Sequence, residues 1–403
     1  MDRAQLSRIA DGLVIAVAVA LPWSTSATGI LLVLWLLALI PTLDWPSVRR
    51  ELLTPAGGLP VLLVLLGVLG TAWADVSLVE RWKGLDSFFK LLAMPLLMTQ
   101  FRRSGRGQGV FIGFLAACVA LLIASVIVKM WPELPRGSTD DGVAVKGYIV
   151  QSAEFAICSA VLLHLAVEAI RARNWWRFAV WLVLVLGFLG DVAFIATSRT
   201  SLVVIPIFLL LYGAWQFRWK GFAVALVAGA IVFGALWTYS PYLRQRVISV
   251  SHESAEFEAQ NIRTPSGERI MFWTESLRFI RSAPLIGHGT GSITEMFRQA
   301  AVGQSGARAE VSSNPHNQTF AVAIQLGLLG AAVLWAMWLS HLLLFRGGGL
   351  VEWIGLVLVV QNVVGSLFNS YLFDFTEGWI YVVGVGVAAG MMRQRSVETA
   401  RQP

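Results

Sequence analysis

Long apolar runs separated by polar segments dominate the chain and predict an all-α integral membrane protein. Apolar runs of roughly 17 to 25 residues are long enough to cross a hydrocarbon core of about 30 Å as helices. We predict about 12 transmembrane helices. They cover residues 9–24, 27–43, 59–74, 86–101, 109–131, 148–170, 178–197, 201–216, 221–239, 315–345, 349–370 and 377–392.

The polar segments between these runs alternate in charge, and this alternation predicts how the chain is oriented. Every second segment is short, basic and nearly free of acidic residues, as cytoplasmic loops are. Its basic residues are Arg49, Arg50, Arg102, Arg103, Arg106, Arg171, Arg173, Arg177, Arg218, Lys220, Arg346, Arg393, Arg395 and Arg401. The other segments mix acidic and basic residues. We therefore predict that both termini lie in the cytoplasm.

One polar segment, residues 240–314, is far longer than the others and falls on the extracytoplasmic side. The predicted organisation is nine transmembrane helices in 1–239, a large periplasmic loop in 240–314, and three more helices with a short cytoplasmic tail in 315–403. Connections of this length are typically functional or disordered.

An amphipathic helix is predicted inside this loop, from Ser266 to Ser282. Its apolar positions recur at helical spacing, and they are Ile270, Trp273, Leu277 and Ile280. Such a helix can rest its apolar face on a membrane surface and lift basic side chains toward a polar site. The basic candidates are Arg269, Arg278 and Arg281.

Composition supports the membrane class. Of the 403 residues, 56% are hydrophobic and 14% are charged, against about 25% charged in soluble domains. The net charge of +7 does not indicate nucleic-acid binding, because the basic residues stand at helix ends. Cys118 and Cys158 both fall inside apolar runs without a CxxC neighbour. A disulfide framework or a thiolate metal site is therefore not expected.

The segment Asn314-Pro315-His316-Asn317 contains the strongest candidate for chemistry. Asparagine at the cap and proline at the first position predict a helix start that puts His316 and Asn317 in the first turn. The positive end of the helix dipole then disfavours protonation of the imidazole, so that His316 can act as a base. The competing interpretation is a capping histidine with a structural hydrogen bond.

Arg199 lies in a short polar turn, residues 197–201, between two predicted spans. Charged groups at such a depth are costly and typically functional. Asp191 and Glu154 fall within about two helical turns of the same surface and are candidates to pair with it. The alternative is an ordinary helix-end arginine that reaches the lipid headgroups.

Two further stretches are weaker candidates for a site. Arg81 and Lys83 flank a tryptophan just before the fourth span, which by itself is typical of an interfacial anchor. The glycine-rich segment 284–291 is not surrounded by a βαβ unit. We therefore expect a tight loop that approaches a ligand or another part of the backbone. The outer segments hold arginines but no carboxylate-rich metal motif, which favours metal-independent handling of a phosphate-linked lipid substrate.

Two short motifs resemble the signatures of bacterial O-antigen ligases. His316-Asn317 is followed by nine residues, Gly327, two residues and Gly330, and Arg81 is followed after three residues by Leu85. The first pattern closes the large outer loop and the second lies between the third and fourth spans. With the predicted spans and the late loop, the resemblance covers nearly the whole chain.

The resemblance implies an inverting glycosyltransferase of GT-C architecture in the cell inner membrane, with its active site facing the periplasm. It implies transfer of O-antigen glycan from undecaprenyl pyrophosphate to lipid A–core oligosaccharide, without cofactor, metal or ATP. His316 would activate the acceptor hydroxyl, and Arg199 and Arg269 would hold the donor pyrophosphate. The residues expected to bind substrate or support the site are Arg81, Lys83, Asn317, Arg278, Asp191 and Glu154.

Three alternatives stay open. An O-antigen polymerase would use the same donor, and Arg278 stands eleven positions before Gly289, a spacing similar to a polymerase motif. A protein O-oligosaccharyltransferase would be longer. A transporter would use ionisable residues within its spans, and those present are Lys90, Lys129, Glu154 and Asp191.

Overall fold

A computed structural model describes residues 2–138, 140, 142–196 and 198–399, and throughout these ranges the regular structure is helical. Its α-helices are α1 (Arg3–Ala20), α2 (Thr25–Leu39), α3 (Trp45–Leu52), α4 (Pro55–Gly70), α5 (Leu78–Phe89), α6 (Ala93–Phe101), α7 (Gly107–Met130), α8 (Tyr148–Arg171), α9 (Trp175–Phe194), α10 (Arg199–Tyr239), α11 (Pro241–Gln260), α12 (Pro265–Ser282), α13 (Ile293–Ala301), α14 (Gln318–Leu344), α15 (Leu350–Gly365) and α16 (Phe375–Thr399). The predicted all-helical class is confirmed.

Among the described helices, seven are long and apolar enough to cross a membrane. An eighth is added if α3 and α4, which are bent by 85°, form one broken span. This agrees with an integral membrane protein. The predicted total of about 12 spans and the GT-C architecture are not confirmed, because several predicted spans are short or divided. For example, α15 has 16 residues, and the predicted span 86–101 is divided between α5, a short 3-10 turn and α6.

Helix α10 contains two of the predicted spans and a reversal of the chain between them. Arg218 has φ of 57° and ψ of −143°, which no helix accommodates. Gly213 and Gly221 face each other across this point, and a Cβ on Gly213 would lie 2.8 Å from the Gly221 carbonyl carbon. Residues eight apart in a straight helix are about 12 Å apart. The two halves of α10 therefore form a tight hairpin.

Helix α16 packs closely on α6 through small residues. A Cβ on Gly386 would lie 2.8 Å from Leu97 Cβ, and one on Gly390 would lie 2.8 Å from Phe101 Cβ. Close approach at small residues is how membrane helices gain van der Waals contact when lipid removes the hydrophobic drive. In contrast, α10 exposes apolar side chains such as Val224 and Ile231, as a lipid-facing helix does.

Helix α14 is interrupted at Gly327, where φ is 64° and ψ is −164°. The glycine-rich segment 284–291 fills the interruption and supplies the missing backbone partners. Leu328 N donates to Pro284 O at 2.7 Å, His288 N to Ile324 O at 2.8 Å, and Gly289 N to Gln325 O at 2.9 Å. The expected close approach of this segment to another backbone is confirmed. The predicted span 315–345 corresponds to α14, which begins at Gln318 and is interrupted at Gly327.

The predicted span 349–370 is longer than the helix that the structure contains there. Helix α15 ends at Gly365, and residues 366–374 form an irregular connection to α16. Asn362 O and Gly365 O accept the backbone hydrogen bonds that turn the chain there. This connection lies beside the segment that precedes α14, because Gln318 N donates to Ser366 O at 2.9 Å. It thereby contributes side chains to the candidate site.

Candidate functional site

His316 lies just before α14 and not in its first turn, which corrects the prediction. Asn317 is the N-cap, since its Oδ1 accepts from Phe320 N at 3.2 Å. Its Nδ2 donates to Leu367 O at 3.2 Å, so the amide is used for structure. His316 has φ of 53°, in the left-handed region that non-glycine residues rarely adopt. Such strain concentrates at functional sites and is held by the surroundings.

A chain of amides holds the imidazole and defines its tautomer. The backbone N–H of His316 donates to Asn314 Oδ1 at 2.8 Å, which assigns the oxygen of that amide. Asn314 Nδ2 therefore donates to Asn369 Oδ1 at 2.8 Å, and this oxygen is an acceptor. His316 Nδ1 lies 3.0 Å from the same oxygen and must carry the hydrogen. Nε2 is left with the free lone pair that a general base requires.

Asn369 is fixed from its other side as well. Its Nδ2 donates to Asp374 Oδ2 at 2.6 Å, and Ser370 Oγ donates to Asn314 Oδ1 at 2.7 Å. All three side chains come from the connection between α15 and α16. Asn369 and Ser370 were missed in the sequence because residues 349–370 were assigned to a span, and Asp374 was missed because the short connection after that span contains no recognised motif. The signal available was the polar group of Asn369, Ser370 and Asp374 at the end of an apolar run.

Helix α12 covers the other face of His316. The Phe272 ring stacks on the imidazole with centroids 5.9 Å apart and planes at 25°. Trp273 Nε1 donates to His316 O at 3.3 Å. Burial, and then the positive charge of Arg269, lower the pKa of His316, while the bond to Asn369 opposes them. Burial and Arg269 thus favour the neutral imidazole, whereas the sequence-based prediction attributed this effect to a helix dipole.

Arg199 begins α10 and points to the start of α12. Its Nη1 donates to Ser266 Oγ at 2.8 Å and its Nη2 to Ser249 Oγ at 3.0 Å. It forms an ion pair with Glu253 of α11. The expected pairing with Asp191 or Glu154 is wrong, because the arginine turns toward α11 and α12.

The Glu253 carboxylate occupies a place suited to an anion. Its Oε2 accepts from Ser266 N at 3.0 Å and from Ser266 Oγ at 2.7 Å, in the first turn of α12. Burial raises the pKa of Glu253, but the bonds from Arg199 and Ser266 outweigh it and leave the pKa below its usual value. A helix N-terminus combined with an arginine fork is a typical phosphate-binding arrangement.

Arg269 is three residues after Ser266 on α12, and it is close enough to Arg199 for the two positive charges to interact. Burial, and then the charge of Arg199, lower the pKa of Arg269. Among the described residues, no carboxylate forms a salt bridge with it. Two neighbouring guanidinium groups, one of them without an acidic partner in the described part of the chain, favour an anion between them.

Asp191 and Glu154 lie elsewhere in the bundle. Asp191 ties α9 to α7 and α8, since its Oδ2 lies 2.5 Å from Ser125 Oγ and its Oδ1 accepts from Gln151 Nε2 at 3.0 Å. Glu154 is fully buried, and its carboxylate oxygens have no hydrogen-bond partner among the described residues. Neither residue contacts the arginines.

The remaining candidates are Arg81 and Lys83 on α5 and Arg278 on α12. Arg81 braces the turn before α5, since its Nε donates to Val76 O and its Nη1 to Thr71 O, both at 3.0 Å. Lys83 pairs with Glu80 at 3.1 Å on an exposed face of α5. Arg278 is nine residues after Arg269, which places it on the opposite face of α12. Its side chain is 76% exposed and pairs with Glu275 at 3.3 Å.

The structure thus brings together His316, Arg269 and Arg199, and leaves Arg278, Asp191 and Glu154 outside that group. Across the described ranges, no group of three or more His, Cys, Asp or Glu side chains is placed to hold a metal ion. The arrangement offers one neutral base and two cationic forks at one end of the bundle. Chemically, it suits the binding of a phosphate-linked substrate and the removal of a proton beside it.

The sequence profile described as O-antigen ligase matches residues 184–335. Over these residues, which are fewer than half of the chain, the protein is similar to the O-antigen ligase family. The match extends from within α9 into α14 and includes Arg199, Arg269 and His316, so the predicted resemblance is confirmed. A comparison of the whole chain with curated proteins finds no significant match. The residues Asn369 and Asp374, which hold the histidine, lie beyond the matched region.

Proposed function

We propose that the protein is an O-antigen ligase. In this proposal it transfers O-antigen glycan from undecaprenyl pyrophosphate to lipid A–core oligosaccharide. The reaction takes place at the periplasmic face of the cell inner membrane, without metal, cofactor or ATP. Both termini lie in the cytoplasm, and residues 240–314 form a periplasmic loop between the first nine and the last three spans of a GT-C-type enzyme.

The observation that carries the proposal is the pair Arg199 and Arg269 beside a neutral histidine with a free Nε2. The two guanidinium groups and the first turn of α12 would bind the donor pyrophosphate. Glu253 now fills part of that place and would be displaced by a phosphate oxygen. The charge that develops on the leaving pyrophosphate would be stabilised by the same groups.

The chemical step follows from this placement. His316 Nε2 takes the proton of the acceptor hydroxyl as the acceptor oxygen bonds to the anomeric carbon. The bond from that carbon to the pyrophosphate oxygen breaks, and its electron pair leaves with the pyrophosphate. Attack opposite the leaving group inverts the anomeric centre. The proton on His316 then passes to solvent or to the released pyrophosphate, so the base is regenerated.

Reconstitution with purified protein tests the proposal. Undecaprenyl-pyrophosphate glycan is supplied with and without lipid A–core, in chelator and without nucleotide. We expect product on lipid A–core, and we expect His316→Ala to lower turnover by roughly 10²- to 10⁴-fold with donor affinity retained. His288→Ala is the matched control, because His288 bonds to Phe279 O at 2.9 Å away from the arginines.

Two results would overturn parts of the proposal. Longer glycan on the polyprenyl carrier, formed without lipid A–core, would make the protein a polymerase. Unchanged turnover in His316→Ala would remove this histidine as the base, whatever the acceptor.

A further inference from the structure

A polar cavity of about 540 Å³ adjoins the amide chain that holds His316. Its volume lies within the range of about 300–1,000 Å³ that is usual for small-molecule sites. Its lining does not include Arg199, Arg269 or Glu253. The cavity is therefore distinct from the place proposed for the donor pyrophosphate.

Helix α5 supplies one wall of this cavity through a single face. Glu80, Lys83, Gly84 and Ser87 recur at helical spacing and all line it. A Cβ on Gly84 would lie 2.5 Å from Gly291 Cα, so the glycine lets α5 close against the segment before α13. Arg81 is turned away and fixes the start of α5. The Arg81-x3-Leu85 motif thus supports the wall and leaves other residues to face the cavity.

The lining mixes hydrogen-bond donors and acceptors with charges of both signs. Lys83 pairs with Glu80. Asp374 adds a second carboxylate to the lining, and Ser87 and Thr294 add hydroxyl groups. This balance does not favour a pyrophosphate, which requires an excess of positive charge. It does suit a polyhydroxylated ligand, because each hydroxyl both donates and accepts. The ring of Phe373 adds an apolar surface to the same lining.

Three residues connect the cavity to the base. Asn314, Ser370 and Asp374 line it. Asn314 and Asp374 form hydrogen bonds with the Asn369 amide, and Ser370 donates to Asn314. A ligand in the cavity therefore lies one residue from the imidazole. The cavity lies on the side of the imidazole that carries Nδ1. A saccharide held there would therefore extend past Asn369 to bring a hydroxyl group to Nε2.

We propose that this cavity is the acceptor-saccharide subsite, with Glu80, Lys83, Ser87 and Thr294 as residues that determine which acceptor sugar is bound. The inference rests on the proposed function. It adds a location for the acceptor that is separate from Arg199 and Arg269. It also gives the Arg81-x3-Leu85 motif a role, which is to support one wall of the cavity.

The test compares acceptor and donor kinetics in the full-length protein. Ser87→Tyr places a ring in the cavity, and Val79→Tyr is the control on the same helix, because Val79 is 62% exposed and does not line the cavity. With lipid A–core as the acceptor probe, we expect Ser87→Tyr to raise the acceptor KM at least tenfold and to change the donor KM by less than twofold. Val79→Tyr should leave both unchanged.

Lys83→Met provides a milder variant on an exposed side chain, so that a folding defect in Ser87→Tyr does not leave the idea untested. It should raise the acceptor KM about threefold without affecting the donor KM. An unchanged acceptor KM in both variants would overturn the subsite. A rise in donor KM equal to the rise in acceptor KM would assign the cavity to the glycan of the donor instead. If the wild-type protein transfers nothing to lipid A–core, the proposed function fails first, and the acceptor subsite fails with it.

Discussion

Glu253→Gln tests whether the carboxylate competes with the donor for Arg199. Glutamine keeps the size of the side chain and an oxygen for Ser266, but removes the negative charge that pairs with Arg199. The pair is partly exposed, with 22% of the Arg199 and 17% of the Glu253 side chain accessible. Pairs of this kind contribute about 1 kcal/mol or less. Relief of the competition should therefore tighten donor binding by up to about fivefold.

The assay is binding of undecaprenyl pyrophosphate, and of free pyrophosphate as the minimal probe, to purified wild-type and Glu253→Gln protein. The melting temperature of the ligand-free variant should fall slightly, while the dissociation constant for pyrophosphate should also fall. Glu258→Gln on the same helix serves as the control. Weaker binding of pyrophosphate to Glu253→Gln would refute the reasoning, because it would mean that the carboxylate orients Arg199 for the donor and does not compete with it.

Three further outcomes are expected. Arg199→Lys should raise the donor KM about tenfold, because a lysine cannot replace the two-pronged contact of about 1.5 kcal/mol or more; full recovery of donor KM would argue for a simple point charge. Arg269→Gln should move the acid limb of kcat/KM to higher pH, since activity is lost as pH falls through the pKa of His316 and Arg269 lowers that pKa; an unmoved limb would contradict this electrostatic role. Gly327→Ala should destabilise the protein by about 1–3 kcal/mol, measured by thermal unfolding in detergent, because φ is 64° there and a Cβ would meet Leu285 O; Gly29→Ala, with open space around it, should not.

Local features of the site were predictable from the sequence because they depend on neighbouring residues. The helix from Ser266 to Ser282 was predicted from apolar spacing, and the structure adds Thr264 as its N-cap, since Thr264 Oγ1 accepts from Gly267 N at 3.2 Å. The closeness of His316 to a helix start follows from its asparagine neighbours. Gly327 was recognised in the sequence as part of a motif. The structure shows why a glycine is needed there, since the backbone of α14 is interrupted at this residue.

Pairings across long separations were not predictable. Asn369 lies 53 positions after His316, and Glu253 lies 54 positions after Arg199. No period or local motif connects such residues, because their contact depends on how the helices rotate and pack. Asp191 illustrates the same limit, since the sequence does not give the direction of its side chain around α9, which is toward Ser125 and Gln151. The pattern of apolar runs likewise did not reveal that residues 366–370 leave the helix.

The interruption of α14 has a consequence for how the chain is made. A ribosome completes residues 284–289 well before residues 324–329, and each segment supplies the other's backbone partners. In lipid, unpaired backbone groups cost several kcal/mol each. In the proposed topology, the first half of α14 therefore cannot settle until the preceding loop has crossed the membrane and begun to fold. With that topology, biogenesis should pass through a late docking step in which the translocated loop closes the last gap in a nearly finished bundle.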